Sequence, residues 1–154
     1  MIECLPTGVC SWDFELRGEG HTARLGFSWP SEQGWIEVDG LSIQVEKQGF
    51  MSGAWIFNGG GRTILSAEKR SALTRSFDLK SPAGSYVLEA TSFASRTMIF
   101  RGPNADATIE PAHVFTRRAT IQGRLPDFEV VACAFWLTAL TWRRAANNNN
   151  AAAG

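Results

Sequence analysis

The sequence predicts an all-β fold with one buried helix: a closed antiparallel barrel of about twelve strands around a hydrophobic C-terminal α-helix. Three observations carry that prediction. Apolar and polar residues alternate with period two through most of the chain, turn-forming residues punctuate the runs, and one apolar segment near the C-terminus breaks the period. Alternation puts one face of each strand in a dry interior and the other in water, as half-buried antiparallel strands require. Short connections favour a meander, and closure leaves no strand edge exposed.

The elements follow in chain order. A poorly patterned strand within residues 2–10 would bring the count from eleven to twelve. Asp13-Phe14-Glu15-Leu16-Arg17 sets Phe and Leu on one face and charges on the other, and Gly18-Glu19-Gly20 is a turn. Residues 35–38 and 41–47 flank Asp39-Gly40, which supplies the positive φ angles of a type I′ hairpin. Residues 54–57 and 63–69 flank Asn58-Gly59-Gly60-Gly61. These glycines are a hairpin loop, not a phosphate cradle: a cradle needs a helix N-terminus after them, and Arg62-Thr63-Ile64-Leu65 continues as a strand. Phe77-Asp78-Leu79-Lys80 and Tyr86-Val87-Leu88-Glu89-Ala90 are separated by Ser81-Pro82-Ala83-Gly84. Met98-Ile99-Phe100-Arg101 and Ala107-Thr108-Ile109-Glu110 are separated by Gly102-Pro103-Asn104, and Ala119-Thr120-Ile121-Gln122 comes last.

From Val130 to Trp142 the only polar residues are Thr138 and Thr141. Asp127 is placed as an N-cap, and Arg143-Arg144 suits a helix C-terminus. At helical rise this stretch covers about 20 Å, short of the roughly 30 Å of a bilayer's hydrocarbon core. A helix apolar on every side yet too short to span a membrane is one buried on every side. The expected organisation is therefore a single domain over residues 1–146, with the central helix at about 128–144. The low-complexity Ala/Asn stretch 147–154 is read as a frayed helix end or disordered tail.

Composition narrows the classes. The 154 residues make one domain, long enough to bury a core unaided. Fifteen bases balance fifteen acids, 44% of residues are hydrophobic and 19% charged. That excludes a disordered chain, a polybasic nucleic-acid coat and a collagen-like fibre. Ten Phe and six Trp imply a wide interior to fill. The zero net charge hides an asymmetry: residues 1–60 hold eight acids and three bases (net −5), and residues 61–154 hold seven acids and twelve bases (net +5). Cys4, Cys10 and Cys133 form no C-x-x-C pair; Cys133 reads as a small hydrophobe, while Cys4 and Cys10 are near enough in sequence to meet. The N-terminus has neither the basic region nor the apolar run of a signal peptide, so a cytoplasmic location is expected, with peripheral membrane attachment as a variant.

A meander of a dozen strands followed by one apolar helix resembles the tubby C-terminal-like superfamily. That group takes in tubby-like proteins, phospholipid scramblases, LURP-one-related proteins and small bacterial members. The likeness rests on order: the Gly34–Gly40 hairpin, residues 55–57 with 64–69, residues 85–90 with 96–101, and above all Leu125-Pro126-Asp127 running into 130–144. The resemblance implies a closed barrel around a hydrophobic helix, and binding at membranes. It transfers no lipid-contacting position residue by residue. The palmitoylated cysteine cluster and calcium-binding segment of scramblases have no counterpart here.

The candidate site residues are therefore chosen on charge alone. Among the basic residues, Lys69, Arg70, Arg117 and Arg118 are the expected contacts for an anionic phospholipid headgroup, since guanidinium suits phosphate bidentately. Arg143-Arg144 has the weakest claim, because a helix end already explains it. A solvated barrel exterior accounts for the same charges. His21 and His113 lack partners at metal-ligand spacing, and Glu37, Glu46, Glu68 and Glu89 sit on the wet faces of strands. No metal, cofactor or nucleic-acid partner is expected. The leading expectation is a non-enzymatic module meeting anionic phospholipid, a membrane surface or a protein partner through an Arg-rich face. The alternatives are a lipocalin-like carrier of a small hydrophobic ligand and an enzyme with a loop-built cleft.

Overall fold

The computed structural model describes residues 1–9, 11–49 and 52–153. Among them twelve strands form β1 (Ile2–Pro6), β2 (Phe14–Gly18), β3 (His21–Phe27), β4 (Gly34–Val38), β5 (Leu41–Lys47), β6 (Ala54–Gly59), β7 (Arg62–Lys69), β8 (Ser76–Ser81), β9 (Gly84–Ala90), β10 (Met98–Gly102), β11 (Ala105–Pro111) and β12 (Ala119–Arg124). Each pairs antiparallel with its sequence neighbours, and β1 pairs with β12 to close the cylinder. The expected twelve-strand barrel is the observed one. The seam is short, joining Ile2 to Ile121, Glu3 to Thr120 and Cys4 to Ala119. Its weak sequence pattern reflects length: in β1 only Ile2 and Cys4 are fully buried before Pro6 ends the strand. Cys10 and Gly154 lie outside the described residues, and with Cys10 any meeting of Cys4 and Cys10.

The tight turns carry the backbone chemistry expected of them. Asp39 has φ 47° and Gly40 φ 86°, both left-handed as a type I′ turn requires. Gly60 and Gly61 turn β6 into β7 with φ 60° and 74°.

The helix α1 (Phe128–Ala153) occupies the lumen. Twelve strands about 4.8 Å apart and tilted about 40° close into a cylinder roughly 24 Å across. The sheet then stands about 12 Å from the axis, enough for a helix of 5–6 Å radius and one layer of inward side chains. Every residue from Val130 to Trp142 is buried, which is why this helix is apolar on all sides. Phe14 meets Phe135 edge-on at 5.0 Å, and Phe57 meets Trp136 at 5.8 Å. Thr138 and Thr141 donate their hydroxyls to the carbonyls of Ala134 and Leu137, so neither is an orphan. Gly34 makes room for Trp136: the indole N–H donates to the Gly26 carbonyl at 2.9 Å, and a Cβ on Gly34 would stand 2.9 Å from that nitrogen.

One boundary differs from expectation. The helix does not stop at Arg143-Arg144 but runs through Ala153, taking in most of the Asn/Ala stretch. Neither Pro nor Gly interrupts it before Gly154, and alanine favours the helix most of all residues. Arg143 and Arg144 serve the barrel mouth, not a helix end.

Candidate functional site

An up-and-down barrel sorts its connections by parity, and here the two ends differ in kind. β2, β4, β6, β8 and β10 lead into tight hairpins centred on Glu19, Gly40, Gly60-Gly61, Ala83 and Asn104, and β12 leads into α1. Odd-numbered strands lead into six longer loops: 7–13, 28–33, 48–53, 70–75, 91–97 and 112–118. All six close with one hydrogen bond between equivalent backbone groups: Thr7 N–H to Asp13 O, Ser28 to Gln33, Gln48 to Ala54, Arg70 to Ser76, Thr91 to Thr97 and Ala112 to Arg118, at 2.8 to 3.0 Å. The chain is thus six hairpin repeats, and all six long loops stand at one mouth.

Those loops raise apolar side chains into water. Val9, Trp29, Leu73, Phe93, Val114 and Phe115 are 78% to 95% exposed. A single exposed apolar residue needs no explanation, but these fall on one end, in five loops. The remaining loop carries Phe50-Met51 in sequence, outside the described residues. At the opposite mouth only Met1 is a large apolar residue of comparable exposure among those described.

Cations stand behind the tips. Lys69, Arg70, Arg117 and Arg118, chosen from sequence, all lie at the long-loop mouth, together with Lys47, Arg75, Arg96, Arg143 and Arg144. The acids in the six loops are Asp13 and Glu32. The long-loop mouth is thus rich in cations and poor in acids.

The four candidates are not equivalent. Arg118 is exposed, and its guanidinium has no partner among the described residues. Arg70 is exposed and pairs with Asp78 at 2.9 Å, a contact that water screens. Lys69 is half-buried; burial, reinforced by the charge of Arg144, lowers its pKa below the ordinary lysine value. Arg117 is committed within the protein, donating to the carbonyls of Gly8 at 2.7 Å and Val9 at 2.5 Å and lying over the Trp12 ring. Arg75 does the same to Ser92 and Phe93, and Arg96 to Val114. Arg75, Arg96 and Arg117 recur every 21 residues, each clasping the loop of the next repeat.

Sequence reasoning missed the apolar tips and these clasps. A signal was present: Gly8-Val9, Ser28-Trp29, Leu73-Thr74, Ser92-Phe93 and Phe115-Thr116 each set an apolar residue beside Gly, Ser or Thr in a gap between strands. Gaps between alternating runs read as turns, so their apolar members drew no attention.

Other chemistry is sparse. His21 Nδ1 lies 2.5 Å from Asp39 at the tight-turn mouth, and its ring stacks on Phe128 at 5.1 Å. His113 Nδ1 accepts the Phe115 N–H within its own loop. Burial pushes the thiols of Cys4 and Cys133 well above the usual range, which keeps both protonated and unreactive. Among the described residues no group of three His, Cys, Asp or Glu side chains is placed to hold a metal ion, and no helix is long and apolar enough to cross a membrane. No protein-family model matches the chain, and neither a curated protein nor a solved structure matches it.

Proposed function

We propose that the protein docks on anionic bilayers through its long-loop mouth, the apolar tips entering the interface and the cations behind them meeting headgroups. The observation that carries the reading is the set of apolar tips, one or two in each of five equivalent loops, over a ring of Lys and Arg. An apolar side chain fully buried from water gains about 1.5–3 kcal/mol, and a cation near an anionic surface about 1 kcal/mol. The wall of the barrel suits water instead. Glu3, Arg17, Arg24, Glu37, Glu46 and Glu68 are exposed along it, and its strands run to five to eight residues. A lipid-facing barrel wall needs an apolar band and strands of about 9–11 residues. Docking at a membrane is also what the resemblance to tubby-like proteins implies. A lumenal carrier gains no support, because α1 fills the space a ligand would need.

The test is co-sedimentation with phosphatidylcholine vesicles, with and without roughly one-third phosphatidylserine. We expect binding that needs phosphatidylserine and weakens with salt. The triple variant Leu73→Ser, Phe93→Ser, Phe115→Ser binds at least about tenfold more weakly with an unchanged melting temperature. The pair Arg70→Ala, Arg118→Ala reduces the salt dependence. Arg117 is left intact, because its removal frees a loop. Unchanged sedimentation of the triple variant, or a tip surface that serves a protein partner and no vesicle, overturns the reading.

A further inference from the structure

Where α1 leaves the barrel, a cavity of about 440 Å³ opens between the helix and loops 7–13 and 28–33. Arg143, only 6% exposed, is part of its lining. The guanidinium lies 4.8 Å from the centre of the Phe27 ring and 5.6 Å from that of Trp29. Two of its five N–H groups reach carbonyls, that of Ser31 at 3.1 Å and, at the limit of bonding, that of Pro30 at 3.5 Å. No carboxylate stands within ion-pair distance of it among the described residues: the nearby Glu32 is held by Arg144 and Lys47. Buried charges in proteins are paired. Here a buried cation faces a cavity with donors to spare and no carboxylate in direct contact with it among the described residues. Burial acts against its charged form more than the Glu32 charge supports it, and an arriving anion would favour it further.

The rest of the lining narrows the anion. Trp12, Phe27 and Trp29 offer flat apolar faces. Asn147 and Asn150, on the last turns of α1, offer amides that both donate and accept. Asp13 adds an acceptor and a negative charge, which suits hydroxyl groups and opposes a polyphosphate. One buried cation answers one anionic group. We infer that this cavity binds an acidic sugar, with the ring carboxylate on Arg143, the ring face against Trp29, and hydroxyls on Asp13, Asn147 and Asn150. The inference shares Trp29 with the bilayer reading but does not rest on it, because the sugar can belong to a soluble glycan or to a glycolipid headgroup.

The test is a tryptophan-fluorescence titration of the full chain with glucuronate, glucose, acetate and inorganic phosphate. We expect a saturable response to glucuronate and responses at least about tenfold weaker to the other three, since only glucuronate joins the charge-assisted bond to the ring contacts. Trp29→Ala and Asn147→Ala change exposed side chains, so they leave the melting temperature in place while weakening glucuronate binding, read by calorimetry. Arg143→Gln abolishes it. Vesicles carrying a glucuronosyl lipid then separate the sources: added recruitment that free glucuronate reverses marks a glycolipid, and saturable glucuronate binding without added recruitment marks a soluble glycan. Absence of a saturable glucuronate response, acetate or glucose binding as well as glucuronate, or full binding by the folded Trp29→Ala and Asn147→Ala variants overturns the inference. None of these results bears on sedimentation with phosphatidylserine vesicles.

Discussion

Glu32 joins three parts of the molecule through one carboxylate. It accepts a forked pair of bonds from Arg144 on α1 and a bond from Lys47 at 2.7 Å, while its backbone carbonyl takes the Trp55 indole N–H at 2.9 Å. The Arg144 bonds, ahead of those from Lys47, lower its pKa from the ordinary 4.5 to about 2. A depressed carboxylate stabilises the fold above its unfolded value and loses that contribution as pH falls toward the folded one. Glu32→Gln is therefore expected to lower the melting temperature at neutral pH and to flatten the loss of stability between pH 4.5 and about 2. Allowing for screening at this partly exposed site, the effect is about 1–2 kcal/mol. Parallel stability curves for the two proteins across that window would contradict it. At this scale the alternation in sequence told which side chains face inward. It was silent on partners: Arg117 and Arg118 are adjacent and alike in charge, yet one clasps a loop and the other faces water.

The helix and the strands beside it set a tighter constraint than pattern conveys. Gly34 interrupts an otherwise good strand because the Gly26 backbone and the Trp136 indole pack against it, and Gly26 does so because Asp13 and Trp35 close over it. A Cβ on Gly34 would meet the Gly26 carbonyl oxygen at 2.1 Å, and backbone cannot move aside as a side chain can. Gly34→Ala is expected to destabilise the protein by about 1–3 kcal/mol, measured by chemical denaturation, although alanine has the better strand propensity. A neutral result would mean that the sheet relaxes around Trp136. The apolar stretch was legible as a buried helix because its length and its lack of a polar face leave no other place for it. Its C-terminal limit was not legible. Arg143-Arg144 satisfies the charge rule for a helix end, and only the loops around the mouth show that both side chains reach sideways to residues 30–32.

At the scale of the whole molecule, barrel and helix depend on one another. Twelve strands cannot fill their own lumen with side chains, whereas about eight can. The inward Trp55, Phe57, Phe77 and Phe100 are fully buried partly by α1 and its neighbours. A chain ended at Pro126 is therefore expected to lose cooperative thermal unfolding and to expose apolar surface to a hydrophobic dye. Retention of a sharp transition would show that the sheet closes without its helix.

Strand faces, hairpin turns and the burial of the helix were determined by the sequence itself, because each depends on residues a few positions apart: period two for a strand, left-handed residues for a tight turn, an unbroken apolar run for a core helix. The mouths were decided only by tertiary structure. Parity of the meander gathers six loops at one end, and closure at the β1–β12 seam brings Arg117 to carbonyls 108 and 109 residues away. Local periodicity holds no record of such distances. Both surfaces proposed here, the ring of apolar tips and the cavity over Arg143, therefore became visible only when the barrel was closed.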